Sequence, residues 1–253
     1  MSRPRVYKTE GIVLKRTDFG EADCIITVYT PDLGKIRAVA KGARKPKSKL
    51  GGHLDLLTQS SLLLAQGQSL DIITQSQTIE SFLPLKRDLK AVSCALYLAE
   101  LVEQFTAEQA ENYPVYSLLQ ANLLYLCEAG NRDVLLRQFE LQFLRYLGYQ
   151  PELHRCLGCN SPIAPRTNFF SCGSGGVTCP DCAVNDPAAR PISLDALKVM
   201  RFLLNSDHVS ASRLRMSREL SCEIKQVTRG YIHYLLEREV KSLRFLDQVH
   251  ARA

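Results

Sequence analysis

The sequence predicts an α+β multidomain protein in which a small N-terminal barrel is followed by a helical domain with a cysteine-rich insert. Three observations predict this class. Short β-rich segments fill the first 82 residues, apolar residues at helical spacing begin after Pro84, and two CxxC pairs lie in a stretch rich in Pro, Gly and Ser. The predicted segments are the barrel at 1–82, a first helical part at 83–150, the insert at 151–188 and a second helical part at 189–253.

The N-terminal segment has the pattern of five strands separated by turns. Its apolar runs are β-branched and partly alternating, and most are joined without a helical run between them. Five short strands of this kind predict a five-stranded OB-fold barrel, with an SH3-like barrel as the alternative. The predicted strands are Gly11–Arg16, Ala22–Thr30, Gly34–Ala40, Leu54–Ala65 and Leu70–Phe82.

Apolar residues at spacings of three and four predict helices in the rest of the chain. In the third of them, Asn131 is a suitable N-cap and Gly148 a suitable left-handed stop. The predicted helices cover residues 89–105, 115–126, 133–147, 193–204 and 218–238.

The positive charge of the chain is concentrated at one end. The 253 residues carry a net charge of +6, yet residues 1–50 hold twelve Lys/Arg against five Asp/Glu, and the remaining 203 hold twenty against twenty-one. No apolar stretch approaches the roughly 20 residues of a membrane helix. The segment Met1–Arg16 also lacks the uninterrupted apolar run of a signal peptide. We therefore expect a cytoplasmic protein without a membrane partner.

Four of the nine cysteines follow the pattern C-x2-C-x19-C-x2-C: Cys156, Cys159, Cys179 and Cys182. Each pair can turn two thiolates towards one point, so the two pairs predict a tetrahedral zinc site with Zn–S distances of about 2.3 Å. Four protein ligands leave no position for water, so we expect one structural Zn²⁺. Unmetallated thiols or two disulfides are the alternative.

The remaining cysteines and the nearest histidine are not expected to be ligands. Two of these residues lie near the CxxC pairs, which already complete a site: Cys172 and His154. The others occupy apolar-patterned positions and are predicted to pack as small hydrophobic side chains: Cys24, Cys94, Cys127 and Cys222.

The basic segment after the third predicted strand is expected to bind DNA through its phosphates. It contains Gly42 and Pro46, which indicate a loop, and no acid interrupts it. A solvated charge run is the alternative, but this run accounts for the whole charge excess of the chain. Bases could also stack on Tyr7, Phe19 or Tyr29, each of which could equally be a core residue. The predicted DNA-binding residues are Lys35 and Arg37 on the adjoining strand, and Lys41, Arg44, Lys45, Lys47 and Lys49 in the loop.

Catalytic motifs are absent from the sequence. It contains no P-loop, no H-E-x-x-H, no G-x-S-x-G and no zinc-deaminase H-x-E pattern, and its five histidines are scattered. Asp18, Glu21 and Asp23 form an acidic cluster near the barrel, which leaves a Mg²⁺-dependent nuclease as the enzymatic alternative. We expect no catalytic residues and no small-molecule substrate.

The residues resemble the bacterial RecO family of DNA repair proteins along the whole chain. The resemblance departs from the family pattern at Gly51-Gly52-His53-Leu54, where a bulkier lead into the next strand is expected. The matching stretches are Gly11–Leu14 with Asp18–Asp23, Gly34-Lys35 with Ala40–Lys45 and Lys47-Ser48, the insert with Phe170-Ser171, Gly175-Gly176 and both CxxC pairs, and Tyr231–Leu235 with Lys241–Leu246.

The resemblance implies a non-enzymatic recombination mediator with an OB fold, a helical domain and a zinc module. Such proteins bind single- and double-stranded DNA, anneal complementary strands, and act with RecR to load RecA onto strands coated by single-strand binding protein (SSB). Lys41, Arg44, Lys45 and Lys47 match the family's basic DNA-binding loop, and the four CxxC cysteines match its zinc ligands.

The family also binds the acidic C-terminal tail of SSB on its helical domain. The candidates here are Arg132 and Arg137 with three flanking apolar residues, Leu135, Leu136 and Phe139. A second basic surface could assist annealing, with Arg201, Arg213, Arg215 and Arg218 as its candidates. The alternative function is a zinc-ribbon transcription or RNA-binding factor, which would prefer one nucleic-acid sequence.

Overall fold

The computed structural model describes residues 5–128 and 130–251, so the first four residues of the Met1–Arg16 segment lie outside the described residues. The chain divides into two compact units. The first comprises Met1–Ala129 with Val240–Ala253, and the second comprises Gly130–Glu239. The boundaries of the four segments named from the sequence stay predictions.

The barrel of the first unit is built from five strands: β1 (Val6–Phe19), β2 (Asp23–Thr30), β3 (Gly34–Ala40), β4 (Gln59–Ala65) and β5 (Asp71–Glu80). Their order around the closed barrel is β1–β2–β3–β5–β4, and β4 pairs with β1. Neighbouring strands are antiparallel except β3 and β5, which are parallel. The predicted N-terminal barrel of OB type is confirmed.

Alternation along the strands separates the barrel interior from its outer face. On β2, Cys24, Ile26 and Val28 are fully buried in the barrel core. Between them, Ile25 and Thr27 line a cavity on the outer face. The first three strands therefore have an apolar inner face and an outer face that carries polar and charged groups.

The largest differences from the predicted strand ends are in β1, which begins at Val6 and ends at Phe19, and at the start of β4. β1 runs through Phe19 because its first half pairs with β4 and its second half with β2, so the turn begins only at Gly20. The predicted start of β4 at Leu54 is wrong. Gly51–Leu54 forms a single 3₁₀ turn that places the fully buried Leu54 side chain in the barrel core, and β4 begins at Gln59.

The described residues form nine helices: α1 (Leu83–Lys86), α2 (Leu89–Phe105), α3 (Tyr113–Leu126), α4 (Arg132–Tyr146), α5 (Pro180–Ala183), α6 (Leu194–Asn205), α7 (His208–Ser212), α8 (Arg218–Leu236) and α9 (Ser242–Ala251). The five predicted helices are confirmed as α2, α3, α4, α6 and α8, with ends that differ by up to a few residues. The predicted N-cap of α4 is also confirmed, because the Asn131 side chain accepts the N–H of Val134. Gly148 has the left-handed φ of 83° that was expected after α4.

A small sheet forms the frame of the cysteine-rich insert: β6 (Asn168–Ser171), β7 (Gly176–Thr178) and β8 (Arg190–Ile192). Its order is β7–β6–β8, with antiparallel pairing. The chain before the first CxxC pair lies against β7, where the Val177 N–H donates to the Glu152 carbonyl at 2.9 Å. A side chain at Gly176 would meet that carbonyl oxygen at 2.3 Å, so glycine is required for this approach.

Candidate metal centre and nucleic-acid interface

Two tight turns bring the four predicted cysteines together. In the first turn, Cys156 Sγ accepts the N–H of Gly158 at 3.4 Å, and Asn160 adopts a left-handed φ of 58°. The second CxxC pair lies at the start of α5, where the Cys182 N–H donates to the Cys179 carbonyl at 3.1 Å. The Sγ atoms of the four CxxC cysteines all lie within 4.8 Å of one another.

The sulfur geometry fits a tetrahedral metal ion. The Sγ atoms of Cys159 and Cys179 are 3.9 Å apart, and tetrahedral Zn–S bonds of about 2.3 Å would place neighbouring sulfurs about 3.8 Å apart. Over residues 5–128 and 130–251, no other group of three or more His, Cys, Asp or Glu side chains is close enough to hold an ion. The four-cysteine cluster is therefore suited to metal binding.

Backbone donors prepare Cys156 for the thiolate form that a metal requires. Burial raises the pKa of this thiol, but the N–H groups of Cys179, Cys159 and Gly158 outweigh burial and lower the pKa to about 6. Hydrogen bonds with the neighbouring cysteines, Cys179 first, instead raise the pKa of Cys182 to about 12. Because crowded thiolates repel one another, complete deprotonation of the cluster requires a cation at its centre.

The Gly158→Ala substitution is expected to weaken metal binding at least about tenfold, the range seen when groups supporting metal ligands are changed. A Cβ at Gly158 would meet Cys182 Sγ at 2.7 Å, so the two CxxC turns could no longer close together. The measurement is competition with a chromogenic chelator. The control is Gly173→Ala in the same insert, where the nearest atom to a new Cβ is Tyr234 Oη at 3.6 Å. Equal metal affinity in both variants would contradict this geometry.

The other cysteines fall outside the cluster. Cys172, like the exposed His154, is not part of it. The prediction that the remaining four pack as small hydrophobic residues holds for Cys24 and Cys94, which are buried, whereas Cys127 is only partly buried. It is wrong for Cys222, which is exposed on α8 because that helix turns this position towards solvent.

The predicted basic loop is an ordered series of turns after β3. The Gly42 N–H donates to the Asp23 carboxylate at 2.7 Å, and the Arg44 N–H donates to the Ala22 carbonyl at 2.9 Å. Ala43 between them is buried in the barrel core. A side chain at Gly51 would meet the Ala43 carbonyl oxygen at 2.8 Å, which gives a physical reason for glycine at this position.

The loop presents most of its cations to solvent. Arg44 lies 3.5 Å from the Asp18 carboxylate and is still partly exposed. The four lysines of the loop are exposed, and among the described residues none has a carboxylate within 4.0 Å: Lys41, Lys45, Lys47 and Lys49. We refer to these four residues as the loop lysines. They form a concentrated positive surface at one end of the barrel.

Two of the predicted DNA-binding residues lie on β3, the strand before the loop, as predicted. Lys35 is buried, its ammonium donates to the Glu103 carbonyl oxygen, and burial lowers its pKa. Arg37 is exposed on the outer face of the barrel, where its guanidinium lies 3.6 Å from the Glu108 carboxylate. The structure therefore groups five of the seven residues in the loop and separates Lys35 and Arg37 from them.

The three candidate stacking residues differ in exposure. Tyr29 is fully buried, and burial raises its pKa to about 12. Tyr7 packs against the barrel core and donates from its hydroxyl to Asp71 at 2.5 Å. Phe19 is 52% exposed at the end of β1, beside Gly20, whose carbonyl accepts from the Arg44 guanidinium at 3.3 Å. Phe19 is thus the accessible aromatic residue of the three.

The acidic cluster near the barrel supports the basic loop. Asp23 accepts from the Gly42 N–H and Asp18 faces Arg44, while Glu21 is exposed in the intervening turn. These three acids are not among the groups that could hold an ion. The contacts of Asp18 and Asp23 give these two acids a structural role beside the basic segment.

Arg137, one of the two arginines suggested to bind an acidic peptide, does not line an open pocket. Arg137 is 2% exposed, lies 2.6 Å from Glu140, and donates to the Thr228 hydroxyl at 3.3 Å. The assignment of Arg137 to a peptide pocket is therefore wrong, because this guanidinium is buried and neutralised inside the second unit. Four other arginines were candidates for a second basic surface. Among them, Arg201 donates to the Leu153 carbonyl, whereas Arg213, Arg215 and Arg218 are exposed.

The barrel, the helical region and the cysteine cluster define a class of α+β multidomain proteins that combine an OB-type barrel with a four-cysteine module suited to metal binding. The family description "Recombination protein O N terminal" matches residues 1–82, and "Recombination protein O C terminal" matches residues 86–244. The chain belongs to the RecO family of DNA repair proteins. No described helix is both long and apolar enough to cross a membrane.

Individual relatives agree with the family match over nearly the whole chain. A DNA repair protein RecO from Roseiflexus sp. (strain RS-1) is 43% identical over 98% of this chain and 87% of its own length. One from Dehalococcoides mccartyi (strain ATCC BAA-2266 / KCTC 15142 / 195) is 39% identical over 98% of both chains. A third, from Desulforamulus reducens, is 35% identical over 97% of this chain and 96% of its own length.

Proposed function

We propose that this chain is a non-catalytic recombination mediator that binds single- and double-stranded DNA and anneals complementary strands. The observation that supports this proposal most is the set of loop lysines, which are exposed on an OB-type barrel in a member of the RecO family. Because phosphate contacts release counterions, such a surface binds DNA of any sequence with strong salt dependence.

Annealing needs a surface that screens two phosphate backbones and leaves the bases free to pair. Lysine ammonium groups supply the screening as point charges and make no demand on base identity. The exposed Phe19 beside the loop offers one stacking face for an unpaired base. None of these roles requires a catalytic group.

The cysteine cluster is proposed to hold one Zn²⁺ with a structural role. Its ligands would be Cys156, Cys159, Cys179 and Cys182. When bound, zinc would offset part of the negative charge of the crowded thiolates and fix the two turns relative to each other. Four sulfur ligands fill a tetrahedral site, which leaves no open position for substrate or water.

The proposed partners are DNA, RecR and the C-terminal tail of SSB, and the proposed setting is the cytoplasm, in association with the nucleoid. Together with RecR, the protein would load RecA onto SSB-coated single strands. Co-purification with RecR and SSB tests these partners. If the chain captured neither RecR nor SSB, and SSB lacking its tail co-purified no less than intact SSB, this part of the proposal would be contradicted.

The annealing activity is tested with complementary, dye-labelled strands in the presence and absence of SSB. We expect the protein to accelerate the appearance of duplex in both conditions, since screened backbones approach each other more readily. Lack of acceleration in both conditions would contradict the proposal. A strong preference for one duplex sequence would instead support the zinc-ribbon factor, and cleavage of labelled DNA with Mg²⁺ or Mn²⁺ would support the nuclease.

A further inference from the structure

The outer face of the barrel carries a second group of cations that is covered by acids of the same chain. Lys15, Thr27 and Arg37 are cross-strand neighbours on β1, β2 and β3, and they line a cavity of about 280 Å³. The other wall of this cavity is formed by Glu103, near the end of α2, and by Glu108, just after it.

Each acid faces one cation across the cavity. Lys15 Nζ lies 3.3 Å from Glu103 Oε1, and Arg37 Nη1 lies 3.6 Å from Glu108 Oε1. Both pairs are substantially exposed, with Lys15 at 56% and Arg37 at 44%. Ion pairs of this exposure are weak, so a competing anion could open them.

The acids are held over this face by backbone contacts. The Gln109 N–H donates to the Lys35 carbonyl at 2.8 Å, and the buried Lys35 ammonium donates to the Glu103 carbonyl oxygen. Gly34 has a φ of 61°, and a side chain there would meet the Ala110 carbonyl oxygen at 2.0 Å. The segment that carries Glu108 therefore packs tightly against the start of β3, and this packing fixes the backbone from which the displaceable carboxylate extends.

We propose that Glu103 and Glu108 occupy the positions that phosphates of a bound single strand would take on the outer face of β1, β2 and β3. In OB folds the face that contains the second and third strands commonly binds oligonucleotides. A strand that extends from the loop lysines across this face would have to displace both carboxylates. The two acids then limit affinity and favour easy release of the strand. This inference rests on the proposed DNA-binding function.

Displacement of an internal acid has a distinct salt signature. When a phosphate replaces a carboxylate on Lys15 or Arg37, the phosphate releases a counterion while the freed carboxylate takes up a cation. The exchange therefore adds little to the salt dependence of binding. Without the acid, the same contact adds about 0.7 to the magnitude of the slope of log K against log salt for a single strand.

The experiment compares single-stranded DNA binding by the full chain and by the Glu103→Gln/Glu108→Gln variant over a range of salt concentrations. At low salt we expect affinity to rise between about twofold and about thirtyfold, which is the summed strength of two exposed ion pairs. The slope should steepen by about 1.4. Adding Lys15→Gln and Arg37→Gln to this variant should abolish both gains.

A matched control separates local competition from general charge. Glu111→Gln/Glu128→Gln removes two negative charges at exposed positions of the first unit outside this cavity, and so raises the net charge by the same two units. Equal gains in the two double variants, or no gain in Glu103→Gln/Glu108→Gln, would overturn the inference while the DNA-binding proposal stands. Failure of the unaltered chain to bind DNA at any salt concentration would overturn the proposed function itself.

Discussion

Replacing Cys156 and Cys179 together with serine is expected to abolish metal binding by the four-cysteine cluster and to destabilise the second unit by about 5 kcal/mol or more. Structural zinc sites contribute binding free energies of about 10–16 kcal/mol, and only the folded insert holds the four sulfurs within 4.8 Å of one another. The variant takes one ligand from each CxxC pair, so neither turn can complete a site. Metal content by mass spectrometry and thermal unfolding are the two measurements.

The control for this prediction is Cys172→Ser. Cys172 is a partly buried cysteine of the same insert, and it lies outside the cluster. We expect this variant to retain one metal ion per chain, because all four sulfur ligands remain. If the unaltered chain held less than about half an equivalent of metal, or if the Cys156→Ser/Cys179→Ser variant kept a full equivalent, the four-thiolate site would be refuted.

Replacing Lys41, Lys45 and Lys47 with glutamine is expected to weaken single-stranded DNA binding on the order of a hundredfold at about 0.1 M salt. Each of these exposed ammonium groups is available to a phosphate, and each contact contributes about 0.7 to the slope of log K against log salt. The slope should therefore become shallower by about 2.1. Titration of a fluorescent oligonucleotide at several salt concentrations measures both quantities.

Three lysines elsewhere provide the matched control for the loop variant. Lys90, Lys198 and Lys241 are also exposed, and changing them to glutamine lowers the net charge of the chain by the same three units. We expect this variant to keep most of its affinity and its salt slope, because the contacts to phosphate remain. A similar loss in both triple variants would show that overall charge, and not the loop, determines binding.

The parts of the fold and site that follow from local patterns could be predicted from the sequence. The spacing of Cys156, Cys159, Cys179 and Cys182 is sufficient to predict a cluster, because each CxxC turn is local and only one pairing of turns closes a tetrahedron. Alternating apolar residues similarly predict the barrel strands. The cap at Asn131 was visible because capping depends on residues three positions apart.

The features that depend on packing between distant segments were not predictable in this way. Lys35 is close in sequence to the exposed basic loop, but α2 covers it and its ammonium bonds to the Glu103 backbone. Arg137 resembles a surface arginine on a helix, and only Glu140 three residues later signals a buried pair. The small helices α1, α5 and α7 are too short to show a period.

The position of Glu103 and Glu108 over the barrel face could not be predicted from the sequence either. These acids follow the basic loop by more than fifty residues, and nothing in their local pattern indicates that they face Lys15 and Arg37. The net charge of the first fifty residues therefore overstates how many cations are free. The structure separates the solvent-facing loop lysines from the cations that already have a carboxylate partner.

Photo-cross-linking of a thiothymidine-containing single strand, followed by peptide mass spectrometry, tests the central claim most directly. The claim is that DNA lies on the barrel against the basic loop and Phe19. We expect adducts on peptides that contain Phe19 or residues 41–49, and fewer adducts at high salt. Adducts confined to residues 130–239, with none on the barrel, would contradict it.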